Sequence, residues 1–112
     1  MKILFAAYEV TVVLPLYQGI GPAWREQMTF LKWFNIPLSW RQAYCGVFQL
    51  ERDGVTYWFV DNEYYFKREQ IYGHYDDCER FAFFSRAVLA LAEHLDYAPD
   101  ILHCNDWQTA LV

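Results

Sequence analysis

The chain has 112 residues, a formal net charge of -5 and a hydrophobic fraction of 55%. This length suits one domain with a packed core, and the acidic balance excludes the basic face that nucleic-acid binding requires. No apolar run approaches the ~20 residues that span a bilayer. We therefore expect a cytoplasmic protein that binds neither nucleic acid nor a membrane.

Two apolar runs open the chain, at residues 3–7 and 10–16. Such runs are typical of strands buried on both faces of a parallel sheet. Parallel neighbours need a crossover of about a dozen residues, which is absent, and the residues between the runs include no Gly, Asn or Pro for a tight turn. The pattern therefore predicts one long or bent strand.

The middle of the chain predicts a short helix followed by antiparallel strands. Pro22 follows a glycine-rich break and is well placed as the first residue of a helix over 22–28. Pro37 indicates an edge strand, and Asp53-Gly54 indicates a hairpin. The strand-like runs themselves lie at residues 29–38, 43–50 and 55–60.

A polar, aromatic segment over residues 61–75 predicts a surface loop with a short helical turn. Asp76 and Glu79 have the spacing of a capping box, which indicates the start of the clearest helix in the chain. This helix is expected to end before Pro99. Its apolar face is formed by Phe81, Phe84, Val88, Leu91 and Leu95.

The C-terminal residues predict half of a parallel α/β unit, with a strand over 101–104 and a helix start over 105–112. Ligands of open α/β sheets bind where such a strand ends. Asn105 or Asp106 as a plain N-cap is one interpretation, and an Asn105 amide that binds a sugar hydroxyl is the other. His103 is expected in the core rather than in catalysis.

Other chemistry-bearing residues form no recognisable catalytic motif. An acid/base pair of Asp76 and Asp77 is one alternative, but neighbouring acids at a helix start usually stabilise its positive end. Cys45, Cys78 and Cys104 lack paired spacing and are expected as reduced core thiols without a metal. Aromatic residues make up 21% of the chain, and core or turn packing is favoured over sugar stacking for them.

Longer sequence blocks follow one another in order along nearly the whole chain. They are M-K-I-L-F-A-A-x-E-V from Met1, V-V-L-P-L-Y from Val12, D-G-V-T-Y-W-F-V-D-N-E-Y-Y-F-K-R from Asp53, I-Y-G-H-Y-D-D-C-E-R-F-A-F-F-S-R-A from Ile71 and H-C-N-D-W-Q-T-A-L from His103. Together they resemble the N-terminal domain of bacterial glycogen synthase, in the ADP-glucose-dependent starch synthase family.

The resemblance implies an α/β fold, namely the incomplete Rossmann-like N-terminal half of a GT-B glycosyltransferase with an antiparallel β-hairpin insertion. Residues 1–112 then form a partial N-terminal catalytic domain. After the first strand the family has a Lys-Thr-Gly-Gly loop and a first helix, which have no counterpart between Val10 and Thr11. Because that loop approaches the nucleotide-sugar phosphates, and a C-terminal domain carries most ADP contacts in the family, we expect this chain to be inactive alone.

The resemblance also implies the partners and the positions that face them. The family transfers glucose from ADP-glucose to the non-reducing end of an α-1,4-glucan with retention at the anomeric carbon. No catalytic residue is assigned here, and no cofactor or metal is expected. The donor-sugar side is expected to include Asn105, Asp106 and Trp107, and the acceptor side Asp61, Asn62, Tyr72 and Asp77.

Two other hypotheses remain open at this point. The first is a non-catalytic glucan-binding module built from the aromatic-rich hairpin and loop. The second is an artefactual, truncated gene product whose sheet lacks a helix and therefore exposes apolar surface. An oligomer is one way in which such a bare sheet becomes covered.

Overall fold

Four strands form one mixed sheet in the computed structural model, which describes residues 9–112. They are β1 (Val10–Pro15), β2 (Thr29–Leu38), β3 (Arg41–Arg52) and β4 (Val55–Asp61), in the order β1-β4-β3-β2. β1 pairs with β4 in parallel, whereas the two other pairs are antiparallel. The predicted α/β fold with an antiparallel hairpin is confirmed.

The N-terminal strand prediction is tested only in part. The apolar run over residues 3–7 lies outside the described residues, so a single long strand stays a prediction. The second run does form a strand, β1, and its parallel partner β4 covers one of its edges.

Turn chemistry explains both hairpins of the sheet. Asp53 and Gly54 join β3 to β4 with φ angles of 53° and 78°, and two positive φ angles are typical of a type I′ turn. Ser39, with a φ of 56°, lies in the turn between β2 and β3. Pro37 lies in β2, which is an edge strand. The hairpin and edge-strand predictions are therefore confirmed.

Three α-helices and one 3-10 turn complete the described part of the chain. They are α1 (Pro22–Arg25), α2 (Glu63–Phe66), α3 (Asp77–His94) and the 3-10 turn Trp107–Thr109. α1 begins at the predicted proline but ends earlier than expected, and α2 is the helical turn predicted in the loop. No helix among residues 9–112 is long and apolar enough to cross a membrane.

Helix α3 packs on one face of the sheet and forms the main core with it. The predicted face is buried at Phe81, Phe84, Val88 and Leu91, whereas Leu95 is only partly buried. Phe83 is fully buried as well, because α2 packs on a second side of the helix and places the rings of Tyr65 and Phe66 5.0 Å and 6.1 Å from it. The sheet contributes Phe34, Ile36, Cys45, Val47, Trp58 and Val60.

The opposite face of the sheet is covered less completely. Leu16, Leu50 and Phe59 form a small buried cluster there, and Phe48 packs against it. Phe30 contacts Phe48 edge to face yet stays 47% exposed. Apolar surface is therefore accessible on this face of the described sheet.

The predicted capping box at the start of α3 is wrong. Asp76 is the N-cap residue, but its side chain makes no capping hydrogen bond. Its carboxylate instead accepts two hydrogen bonds from Arg68, at 2.8 Å and 2.9 Å. Glu79 accepts hydrogen bonds from Arg41 and from the Tyr65 hydroxyl. A two-armed arginine–carboxylate pair is stronger than a single bond to a backbone N–H, so the arginines determine both side-chain orientations.

Two predictions for the C-terminal residues are also wrong. Residues 101–104 form no strand, and the helix expected over 105–112 is a single 3-10 turn. No described strand pairs with residues 101–104, and their side chains are exposed. His103 is therefore not a core histidine.

The cysteines divide between core and surface. Cys45 is buried, and burial, reinforced by Asp61, raises the pKa of its thiol to about 12. Cys78 and Cys104 are exposed, so the core position expected for them is wrong. All three thiols are free.

Replacing Phe83 by Ala tests whether α3 is anchored on the side that faces α2. The substitution leaves a cavity, so the free energy of unfolding should fall by about 3–5 kcal/mol. Leu89→Ala is the matched control, because Leu89 lies on the same helix with 49% of its surface exposed. Its effect should stay below about 1 kcal/mol. Urea unfolding measures both variants, and equal losses would contradict the packing described for Phe83.

Candidate functional site

The carboxyl ends of β1 and β4 lie side by side at one edge of the sheet. Their parallel register pairs Pro15 with Val60, and the Leu16 N–H donates to the Val60 carbonyl at 2.8 Å. The chain after β4 stays at this edge, where the Gln18 N–H donates to the Phe66 carbonyl at 3.3 Å. Ligands of open α/β sheets bind at such edges, so the side chains gathered here are candidates for function.

An open cleft of about 540 Å³ lies beside the end of β4. We call it the tyrosine cleft, and it is lined by Arg41, Gln42, Ala43, Tyr44, Asp61, Asn62, Glu63, Tyr64 and Tyr65. The start of β3, the end of β4 and helix α2 therefore each contribute one side. The predicted acceptor-side residues Asp61 and Asn62 both line this cleft.

Asp61 is the unsatisfied acid of the tyrosine cleft. Its half-buried side chain accepts no hydrogen bond from any described residue. Burial raises the pKa of its carboxyl above the ordinary value, and the charge of Glu63 raises it further, while Arg25 opposes both. A carboxylate with free acceptor positions in an open cleft is suited to accept hydrogen bonds from sugar hydroxyls.

Asn62 is already engaged in holding the cleft together. Only 7% of its surface is exposed. Its Oδ1 accepts from the Tyr65 N–H at 3.0 Å and caps α2, and its Nδ2 donates to the Tyr44 carbonyl at 2.8 Å. Asn62 therefore ties α2 to β3 and fixes the distance between two walls of the cleft.

A second link joins the tyrosine cleft to α3. Arg41 forms a two-armed ion pair with Glu79, at 3.0 Å and 3.1 Å. The Tyr65 hydroxyl donates to the same carboxylate at 2.6 Å. Burial and this hydrogen bond raise the pKa of Tyr65, so the phenol remains a proton donor. Together these contacts hold the start of β3 and α2 on the first turn of α3.

Three aromatic rings, Tyr72, Phe81 and Trp107, form what we call the aromatic cluster. Phe81 and Trp107 meet edge to face at 4.9 Å, and the Tyr72 ring centroid lies 6.2 Å from Phe81 and 6.0 Å from Trp107. Tyr72 and Trp107 are about half exposed. The structure thus brings one predicted acceptor-side residue next to one predicted donor-side residue.

Three predicted site residues remain, namely Asp77, Asn105 and Asp106. The Asp77 carboxylate accepts hydrogen bonds from Arg80 and from the Gly73 and His74 N–H groups. The Asp106 carboxylate accepts from the Trp107 N–H at 2.8 Å, so Asp106 is the N-cap of the 3-10 turn. The Asn105 side chain is exposed and bonds to no described residue. Asn105 is therefore the residue of this group whose amide remains available to a ligand.

The sequence did not indicate that Arg41 and Tyr44 belong to this edge. Both come from β3, and only its antiparallel register with β4, which pairs Gly46 with Asp61, brings them to the cleft. Tyr64 follows the predicted Asp61-Asn62 pair closely, so the D-N-E-Y-Y block could have suggested it. Among residues 9–112, no three His, Cys, Asp or Glu side chains lie close enough together to hold a metal ion.

Comparison with known proteins gives consistent matches. The family model described as the starch synthase catalytic domain matches residues 4–112. The chain is similar to the glycogen synthases of Clostridium botulinum (strain Alaska E43 / Type E3), at 55% identity over 104 residues, and Geobacillus thermodenitrificans, at 51% over 104 residues. These alignments cover 93% of the chain but 22% and 21% of the relatives. The chain therefore spans about a fifth of their length.

A solved structure shares the fold of the chain. It is the catalytic domain of Starch Synthase IV from Arabidopsis thaliana bound to ADP and acarbose, with a TM-score of 0.81 and 28% sequence identity. The superposition covers 95% of this chain and 22% of the solved one.

Substitution of two aspartates by asparagine should change stability with opposite signs. The raised pKa of Asp61 means that folding disfavours its ionised form, so Asp61→Asn should raise the unfolding free energy at neutral pH, by an amount that solvent screening of the half-exposed carboxyl keeps small. The pKa of Asp76 is lowered, chiefly by hydrogen bonds from Arg68. Asp76→Asn should therefore lower the unfolding free energy at neutral pH by about 1–2 kcal/mol. Urea unfolding at several pH values measures both.

The pH dependence provides the internal control. Below the ordinary carboxyl pKa of 3.8, Asp61 is protonated in both folded and unfolded chains, so the gain in Asp61→Asn should disappear. The stability that ionised Asp76 contributes is present above 3.8 and is lost as the pH falls further, so the deficit of Asp76→Asn should shrink there. The same sign for both variants at neutral pH would contradict the assigned environments.

Proposed function

Because the chain belongs to the starch synthase catalytic domain family, we propose that it is part of a glycogen synthase that transfers glucose from ADP-glucose to the non-reducing end of an α-1,4-glucan. The match of the family model to residues 4–112 carries this proposal. The curated relatives bearing the name glycogen synthase support it, at identities above half for the two named. The proposed location, accordingly, is the cytoplasm.

We assign the sugar-facing part of that function to the carboxyl edge of the sheet. The tyrosine cleft offers the unsatisfied Asp61 carboxylate together with tyrosine rings and hydroxyls. The aromatic cluster offers the half-exposed faces of Tyr72 and Trp107, with the Asn105 amide nearby in sequence. Sugars present hydroxyl groups and apolar ring faces, so carboxylates, amides and aromatic rings in an open cleft suit them. We propose the cleft for the acceptor glucan and the neighbourhood of Asn105 to Trp107 for the donor glucose.

The described residues are less suited to bind phosphate than to bind sugar. A diphosphate leaving group needs cations whose N–H donors are free to stabilise its charge. The arginines at this edge donate to partners inside the chain: Arg41 to Glu79, Arg68 to Asp76, Arg80 to Asp77, and Arg25 to the carbonyls of Tyr17 and Ile20. We therefore propose that the chain alone does not catalyse glucosyl transfer.

A transfer assay and a binding assay test this proposal together. The purified chain is incubated with radiolabelled ADP-glucose and glycogen, beside a full-length glycogen synthase at equal molar concentration. We expect no incorporation above background from the chain. In heteronuclear NMR, maltoheptaose should shift signals of Asp61, Tyr64 and Trp107, whereas the β-1,4-linked cellopentaose should not.

Each outcome has a distinct meaning for the proposal. Incorporation above background would show that the described residues suffice for catalysis and would contradict the inactivity. Absence of any shift with maltoheptaose would contradict the sugar-facing role of this edge. Equal shifts with both oligosaccharides would contradict recognition of an α-glucan.

A second candidate function is a glucan-binding module without turnover. The rings of Trp33 and Tyr44 stack at 6.0 Å with an interplanar angle of 22°, and both are substantially exposed. Tyr44 also lines the tyrosine cleft, so this pair extends the cleft along β2 and β3. An extended aromatic surface favours binding of a polymer chain rather than a single sugar.

Gly46 controls the position of this pair and provides a test. A Cβ at Gly46 would lie 2.7 Å from the Tyr44 hydroxyl oxygen, so Gly46→Ala must displace the Tyr44 ring. The affinity for maltoheptaose should then fall about five- to tenfold, the size expected for one aromatic contact. Gly19→Ala is the control, because an added Cβ there meets nothing within 4 Å. Calorimetric titration measures both, and equal affinities would contradict a role for the Trp33–Tyr44 pair.

A further inference from the structure

The loop between α2 and α3, residues 67–76, is held at its ends by one ion pair. Arg68 Nη1 and Nη2 donate to the two Asp76 carboxylate oxygens at 2.8 Å and 2.9 Å. Both side chains are mostly buried, at 18% and 8% exposure. Arg68 Nη2 also donates to the Tyr64 carbonyl at 2.7 Å, so the pair connects α2 to the start of α3. We call residues 67–76 the clamped loop.

Arg80, on α3, holds the middle of the clamped loop through a hydrogen bond to its backbone. Its side chain is 0% exposed and lies among the rings of Phe66 and Phe81. Nε donates to the Tyr65 carbonyl at 2.6 Å, and Nη1 donates to the Ile71 carbonyl at 2.8 Å. One guanidinium on α3 thus fixes both α2 and the residue that precedes Tyr72.

Asp77 fixes the residues that follow Tyr72. Its Oδ2 accepts from the Gly73 N–H at 2.9 Å, and its Oδ1 accepts from the His74 N–H at 3.2 Å and from Arg80 Nη1 at 2.8 Å. Burial by itself would raise the pKa of this carboxyl, but the hydrogen bonds from Gly73, Arg80 and His74 outweigh it and hold the pKa below the ordinary value. The carboxyl of Asp77 is therefore ionised at neutral pH, and both of its oxygens accept hydrogen bonds from the chain.

Arg80 maintains these contacts although one of its nitrogens is unpaired. Nη2 is the buried side-chain nitrogen that has no hydrogen-bond partner among the described residues. An unpaired buried donor lowers stability, so an arginine at this position is favourable only if its other contacts outweigh the loss. The other hydrogen bonds of Arg80 are all made with α2, with the clamped loop or with Asp77.

We propose that Asp77 and Arg80 are positioning residues, which hold the Tyr72 ring on Phe81 and Trp107 as a preformed face for a sugar ring. Tyr72 lies between Ile71, fixed by Arg80, and Gly73, fixed by Asp77. Gly73 has a φ of 88°, which turns the chain directly after Tyr72. Asp77 acts on the sugar through Tyr72 and does not touch it. The sugar part of this inference rests on the proposed function, whereas the positioning part does not.

The positioning part is tested on the free chain by NMR. In Asp77→Asn, the amide N–H groups of Gly73 and His74 should exchange at least about tenfold faster, and the nuclear Overhauser contacts between the Tyr72 and Trp107 rings should disappear. Glu79→Gln is the matched control, because it removes a carboxylate on the same helical turn that contacts Arg41 and Tyr65 but not the clamped loop. It should leave both readouts unchanged. Unchanged exchange and ring contacts in Asp77→Asn would overturn the proposal.

A second variant covers the case in which Asp77→Asn does not fold. Arg80→Lys keeps the charge but offers one ammonium in place of the guanidinium, so it cannot reach Tyr65, Ile71 and Asp77 together. It should weaken the ring contacts of Tyr72 and speed exchange at Gly73 in the same way. Retention of both in folded Arg80→Lys would also overturn the proposal.

The action through Tyr72 is tested by a double-mutant cycle on maltoheptaose affinity. Tyr72→Ala and Asp77→Asn should each weaken binding about five- to tenfold, and the double variant should bind no more weakly than Tyr72→Ala. A structural loss alone would not produce this non-additivity, and additive losses would overturn the action through Tyr72. If the unaltered chain does not bind maltoheptaose, the proposed function fails, and the NMR readouts still decide the positioning.

Discussion

The parallel pairing of β1 with β4 defines the edge of the sheet at which the tyrosine cleft lies. Because the two strands run in the same direction, their carboxyl ends meet at one edge, with Pro15 opposite Val60. The chain leaves β4 at Asp61 and enters α2 immediately, so α2 has to lie at that edge. β3 runs antiparallel to β4 and therefore brings its amino end to the same place. The pairing of β3 with β4, together with the immediate start of α2, thus assembles the cleft from three consecutive elements of the chain.

Arginine–carboxylate contacts then fix these elements on α3. The first turns of α3 carry Asp77, Glu79 and Arg80, and each bonds to a different part of the edge. Fully exposed ion pairs contribute little to stability, whereas pairs that also bond to buried backbone carbonyls restrict geometry. The N-terminal end of α3 therefore carries one set of charged residues that holds the clamped loop and another that holds the tyrosine cleft. Asp61 is the exception at this edge, since no arginine neutralises it by direct contact.

Sequence patterns correctly predicted the elements that depend only on neighbouring residues. The Asp53-Gly54 turn needs only two residues that tolerate positive φ angles, and the apolar face of α3 needs only its own periodicity. The capping box failed because Arg68 and Arg41, distant in sequence or on another element, compete for the two acids. The strand over 101–104 failed because a strand needs a paired edge, which a single sequence does not supply. The resemblance to a family identified the positions that the structure gathers at the edge, but not their internal partners.

The tyrosine cleft and the aromatic cluster, which we propose to face sugars, differ in their internal hydrogen bonding. Next to the aromatic cluster, Asp77 and Arg80 form their hydrogen bonds with the backbone on either side of Tyr72. The cluster is therefore held in place and offers mainly apolar ring faces. In the tyrosine cleft, Asp61 keeps its acceptor positions open, and the chain tolerates the cost of partial burial of a charge. Stacking needs rigid rings because immobilising a free ring on binding reduces affinity, whereas hydroxyl recognition needs unsatisfied acceptors. The hydrogen-bonded carboxylate of Asp77 and the open carboxylate of Asp61 match these two requirements of the proposed sugar site.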